Sequence, residues 1–236
     1  MRKIVLSAVG AALLCAPAIA LAQTKGATYI TKDEVDTVNQ QPGTDRTIRV
    51  LDIGHENFAV GIIHRGPTGG GRGAAAAGGG AAGGRAGGAA GAAAGGGAGR
   101  GAGATAAPEP CGEKASSPPS TGTPTGLFHE SQTEGYYIVS GAGTMVTGGH
   151  IVNGRKSAAD APVTTTLNGP SCSGSIMGVD VVLRDVKAGD IIIIPAGVPH
   201  GWTNIPDHVD YLSFRPSQRV LTAGYVHPSI AGADRK

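Results

Sequence analysis

The side chains best suited to chemistry gather around residues 189 to 204, Gly189-Asp-Ile-Ile-Ile-Ile-Pro195-Ala-Gly197-Val-Pro-His200-Gly-Trp-Thr-Asn204. An imidazole such as that of His200 can ligate a metal when neutral or move a proton near neutral pH. Four consecutive isoleucines favour a buried strand and are too few for a helix of their own. Pro195 cannot donate to a ladder and ends the strand, and Gly197 lets the backbone reverse. If the next segment is extended, His200, Trp202 and Asn204 share one face, because side chains alternate along a strand. On these grounds alone the segment is a hairpin with a histidine, and that histidine could equally lie at the surface.

The spacing of Gly189, Pro195, Gly197, His200 and Asn204 resembles the second conserved motif of the cupin superfamily. A second stretch, His129-Glu-Ser-Gln-Thr-Glu134-Gly-Tyr-Tyr-Ile-Val-Ser-Gly141, resembles the later half of the first cupin motif. The family usually has another histidine two positions before His129, where this chain has Leu127, and the motif's leading glycine is out of register. The resemblance implies an all-β fold, the cupin double-stranded β-helix, an antiparallel barrel or sandwich. It also implies a divalent metal ion inside the barrel, held by His129, Glu134 and His200. Two imidazoles and a carboxylate form a facial triad that leaves coordination positions open. The same set can hold zinc with an acidified water. Ligand type does not choose among iron, manganese, zinc, nickel and copper.

Glu134 is the candidate catalytic base. Tyr136 and Trp202 are expected to face the cavity, with ordinary core packing as the alternative. His64 is the first candidate to fill the place that Leu127 leaves. His129 and Glu134 are five apart, so a turn or bulge near Ser131 to Thr133 must bring both inward.

The elements that position these residues read as follows. Residues 1–22 have the form of a secretory signal, with Arg2 and Lys3, an apolar run and Ala20-Leu21-Ala22 before Gln23. Residues 23–45 form an N-terminal segment, in which Thr31-Lys-Asp-Glu34 is a capping box opening a short helix. Residues 46–236 form the cupin domain, interrupted by a low-complexity insertion at 67–124. Within it, residues 69–104 contain only glycine, alanine and Arg72, Arg85 and Arg100. Such a tract has nothing to bury and reads as disordered.

Strands are expected over 47–53, 58–64, 144–147, 150–156, 179–184, 208–214 and 219–227, with 157–174 a loop carrying Cys172. Regular short strands with glycine-containing turns point to an all-β barrel or sandwich. The isoleucine run is apolar on both faces, so a partner copy or the N-terminal segment should cover its outer side.

Three cysteines are present, and Cys15 leaves with the signal. An oxidising compartment then favours a Cys111–Cys172 disulfide over two free thiols. The formal net charge is +2, without a basic patch bearing interleaved aromatics, which argues against nucleic acid. No later stretch is long and apolar enough to span a bilayer. The expected protein is periplasmic or secreted, binds a small molecule, and is a possible homodimer. It is a metal-dependent enzyme of oxygenase or lyase/isomerase type, or a non-catalytic binding module.

Overall fold

The computed structural model describes residues 27–68 and 109–232. Residues 1–22, expected to be a signal segment, and the glycine/alanine tract lie outside the described residues. Helix α1 (Lys32–Asn39) begins with the expected reciprocal cap. The Glu34 amide donates to Thr31 Oγ1, and the Thr31 amide donates to the Glu34 carboxylate. The other Glu34 oxygen pairs with Arg49 at 2.6 Å. Val38 packs on Ile48, Val60, Ile62 and Ile230, so the helix covers the outer face of the first two strands.

One sheet contains β1 (Asp45–Asp52), β2 (Asn57–Arg65), the first part of β5 (Glu134–Thr147), β9 (Ile191–Ile194) and β11 (Val209–Ser217). The other contains β3 (Pro110–Cys111), β4 (Thr125–His129), β6 (His150–Lys156), β7 (Ser171–Met177), β8 (Val182–Lys187) and β10 (His200–Asn204), together with the rest of β5. All these pairings are antiparallel. Strand β5 passes from one sheet to the other at Gly141, where φ is +73°. A Cβ there would lie 2.0 Å from the His208 carbonyl oxygen, so the corner requires glycine. Between the sheets lie Ile63, Tyr136, Ile138, Met145, Val186, Ile194, Trp202, Ile205, Val209 and Tyr211. The architecture is a double-stranded β-helix.

Several expectations need correction. Residues 144–147 do not form a separate strand but end β5, because Gly141 bends the chain without breaking its ladder. Cys172 lies in β7 with its side chain fully buried, and the 157–174 excursion contains a π-helical turn at Thr164–Asn168. The strand expected at 179–184 is displaced to β8, where Val182 and Leu183 are exposed and Val186 turns inward. Residues 219–227 make no regular strand, only a bridge between Arg49 and Val226. Ile191 and Ile193 are 70% and 65% exposed on the outer face of β9, so no described segment of the chain covers it.

Cys111 and Cys172 are joined, with Cα atoms 6.0 Å apart. The bond ties the short edge strand β3 to β7 across a sequence separation of 61 residues. Closing such a loop contributes about 4 kcal/mol in the chain-entropy model. The Cys111→Ser/Cys172→Ser variant should therefore unfold several degrees lower in a calorimetric scan. An unchanged midpoint would show that β3 is held by its hydrogen bonds alone.

Candidate metal centre

Three strand ends place three side chains at one point inside the barrel. Strand β4 ends on His129, β5 starts on Glu134 and β10 starts on His200. The turn between β4 and β5 removes the parity conflict that a single straight strand would impose. Strands β4 and β10 cross closely, because a Cβ on Gly126 would meet the His200 carbonyl oxygen at 2.1 Å. Only glycine allows this approach, which sets Leu127 opposite His200. His129, Glu134 and His200 are 2%, 1% and 5% exposed. Their candidate ligand atoms all lie within 4.8 Å of one another.

The hydrogen bonds fix which ring nitrogens face inward. His200 Nδ1 lies 2.9 Å from the Val198 carbonyl oxygen and must donate to it. His129 Nδ1 lies 2.8 Å from Ser171 Oγ, whose own proton goes to the carbonyls of Asn168 and Gly169. In the neutral rings both Nε2 atoms therefore present lone pairs. His200 Nε2 is 2.8 Å from Glu134 Oε2, and His129 Nε2 is 3.2 Å from Glu134 Oε1. Acceptors that face one another at these distances repel unless a proton or a metal cation stands between them. Neighbouring donors on an ion with bonds of about 2.0–2.2 Å are separated by about 2.8–3.6 Å, from octahedral to tetrahedral angles. The residues therefore fit a divalent metal, and the outer hydrogen bonds on each imidazole are those that orient metal ligands.

Glu134 has further partners. Tyr136 O–H donates to Oε2 at 2.7 Å. Arg215 Nη2 lies against Oε1, yet Oε1 receives no properly angled hydrogen bond. Burial alone would raise the Glu134 pKa, but the guanidinium of Arg215 overcomes it and holds the carboxyl well below its usual range. Burial lowers the His129 pKa, against the pull of Glu134. Burial also raises the Tyr136 pKa well above its ordinary value, and Glu134 adds to that effect.

A carboxyl with a depressed folded-state pKa stabilises the fold fully above its unfolded value, near 4.5, and loses that contribution as pH falls toward the folded value. Metal-free protein should lose resistance to urea steeply below about pH 4.5, and Glu134→Gln should flatten this dependence. Equal slopes for the two proteins would assign the acid lability to other carboxyls.

Tyr136 and Trp202 line the small cavity beside these residues, as does Leu127, which forms an apolar wall of it. His64 does not. Ile63 faces the core, so its neighbour His64 faces out, 43% exposed, and bonds Asp210 on the adjacent strand at 2.7 Å. Asn204 is also exposed, because the ladder shifts register between Trp202 and Asn204. Residue-by-residue reading missed Arg215, Asn168 and Ser171. Alternation along β11, where Val209, Tyr211, Ser213, Arg215 and Ser217 are buried, could have found the arginine.

The two antiparallel sheets, the strand shared between them and the converging strand ends together define the fold. The chain has a cupin-type fold. Among solved structures, it is similar to an uncharacterized conserved protein with a double-stranded beta-helix domain from Klebsiella pneumoniae subsp. pneumoniae MGH 78578. Identity is 14% over 83% of this chain and 94% of that one, with a TM-score of 0.34. It is also similar to a protein from Bacillus halodurans, at 13% identity over 89% of this chain and 98% of that one, with a TM-score of 0.37. No family model and no curated protein matches the chain.

Proposed function

We propose that this is an exported cupin-fold protein that holds a divalent metal through His129, Glu134 and His200. We further propose that it acts as a metal-dependent enzyme on a small organic molecule, of oxygenase or lyase/isomerase type. The observation that carries the metal reading is the pair of inward Nε2 lone pairs committed by Val198 and Ser171 to face a buried carboxylate. A bound divalent ion would supply Lewis acidity toward a substrate oxygen and, if redox-active, a site for dioxygen. His129 and His200 serve as neutral ligands. Glu134 is ligand and candidate base, and Tyr136 fixes its orientation by donating to Oε2. Leu127 and Trp202 exclude bulk water.

A second reading is a non-catalytic metal or small-ligand binding module. The space left beside the triad favours it, since it has room for about one water molecule. Metal analysis of protein purified from the periplasm, followed by oxygen-uptake and substrate-depletion assays on pooled metabolites, separates the readings. Metal with turnover supports the enzyme, metal without turnover supports the binder, and absence of metal overturns both.

Export is supported by the signal-like residues 1–22 and by the cysteine pair. No helix among the described residues is long and apolar enough to cross a membrane. The exposed Ile191 and Ile193 support homodimerisation through β9, and equilibrium sedimentation tests it.

A further inference from the structure

We infer that the protein carries a second ligand site, a cleft behind the turn that supports the metal ligands, and that this cleft takes an amphipathic amine. The site is separate from the metal centre and stands without the metal reading.

The cleft encloses about 660 Å³, within the range of about 300–1,000 Å³ typical of small-molecule sites. It lies between the start of β3, the end of β6 and the 157–170 excursion. The turn at Thr164–Asn168 divides it from the small cavity inside the barrel, with Thr164 bordering the one and Asn168 the other. Ala158, Ala159, Pro170 and Val220 give the cleft an apolar wall. Contact with such a wall favours a ligand with a hydrocarbon body.

Charge selects the head of that ligand. Two carboxylates, Glu109 and Glu130, border the cleft with a single ammonium, Lys156. Both glutamates are exposed and so stand at the rim. Glu109 pairs with Lys156 at 2.9 Å, and no described residue pairs with the Glu130 carboxylate. The Lys156 pKa is raised first by the bonded Glu109 and only last by Glu130. One negative charge therefore stays unmatched, and an ammonium with its three donors answers it. Thr164 adds a second unmet group. It is 4% exposed, and its buried Oγ1 has no hydrogen-bond partner among the described residues. A buried hydroxyl left so is uncommon and unfavourable, and a ligand donor would relieve it. An acid would be repelled at the rim, and an alcohol would leave the rim charge unanswered.

The cleft also touches the supports of a metal ligand. Ser157 lines it and is bonded twice to Ser171. The Ser157 amide donates to the Ser171 carbonyl at 2.9 Å, and the Ser171 amide donates to Ser157 Oγ at 3.2 Å. Ser171 Oγ in turn orients His129. A ligand in the cleft therefore rests against the serine that holds the one behind His129.

The test uses the mature full-length chain with its disulfide intact, labelled with nitrogen-15 and stripped of metal. Hexylamine, hexanol and hexanoate are titrated separately at neutral pH and constant ionic strength, and the amide shifts are followed. Hexylamine should move the amides of Ser157, Ala158, Ala159, Thr164 and Thr165 together, with a Kd of about 1 mM or tighter. Hexanol should bind about two- to fivefold more weakly, the worth of an exposed charge pair, and hexanoate more weakly still. Glu130→Gln should bring hexylamine down to the affinity of hexanol. Ala159→Phe fills the cleft and should cost about tenfold or more.

No movement of these amides up to the solubility of the amine overturns the inference, as does equal or tighter binding of hexanol or hexanoate. Wild-type affinity in Ala159→Phe overturns it too. If that variant fails to fold, Glu130→Gln decides in its place, and unchanged hexylamine affinity there overturns the assignment. The titrated protein holds no metal, so failure here leaves the metal reading standing, and failure of that reading leaves the cleft standing.

Discussion

The His200→Ala protein, stripped and then reloaded with a divalent ion, is expected to retain less than about a tenth of the wild-type metal after gel filtration. Loss of an outer hydrogen-bond partner of a ligand already costs about 10- to 100-fold in metal affinity, and loss of a ligand itself costs more. Two remaining protein ligands would have to compete with water for the ion. The fold should survive, because the backbone of His200 is still paired with Leu127 and Thr147 after truncation. An unchanged far-ultraviolet spectrum would establish that. Ser171→Ala offers a graded comparison: His129 remains, but its Nδ1 loses the hydroxyl that fixes the ring. Its affinity should fall within that 10- to 100-fold range. If His200→Ala keeps its full complement of metal, the ligand set proposed here is wrong.

How far the sequence discloses this site depends on whether the information is local. His200 was legible because Gly189, Pro195, Gly197 and Asn204 dictate a turn and a strand start within a few residues. The helix was legible for the same reason, since Thr31 and Glu34 cap each other across three positions. Glu134 and His129 could be placed together only through the resemblance, since parity alone would have parted them. The continuity of β5 was hidden because glycine at 141 reads as a turn, whereas tertiary pairing with β8 and β11 carries the ladder through it.

Long-range partners were invisible altogether. Arg215 is 81 residues from Glu134, and no local pattern says that this arginine, rather than Arg46 or Arg49, which are also buried, meets that carboxylate. Alternation in β11 reveals only that residue 215 shares a face with Val209 and Tyr211. Ser171 and Asn168 lie in a polar stretch that resembles any loop, and only contact with His129 and Arg215 gives them roles. His64 shows the opposite error. Its residue type suits a metal site, but strand parity beside the buried Ile63 turns it outward to Asp210.

The Glu134–Arg215 pair should reveal itself most strongly in metal-free protein. Glu134→Leu leaves the guanidinium buried without its counter-charge, and breaking a buried pair in this way costs about 3–5 kcal/mol. Both partners are almost wholly inaccessible, 1% and 3% exposed, so solvent cannot screen the stranded charge. Arg215→Met strands the carboxylate instead, although Tyr136 continues to donate to it. The double variant Glu134→Leu/Arg215→Met removes both charges together. Apolar replacement of an entire buried pair is often close to neutral. Here some loss remains, because Asn168 and Ser213 no longer receive the guanidinium hydrogen bonds. The double variant should still recover at least about half of the stability lost in Glu134→Leu, measured by urea unfolding at neutral pH. Losses that simply add across the cycle would mean that the two groups do not interact in solution. The guanidinium would then have to be sought on another partner. Strong coupling, in contrast, would establish that the protein keeps a cation against Glu134 when no metal is bound, and that an incoming ion must displace or share it.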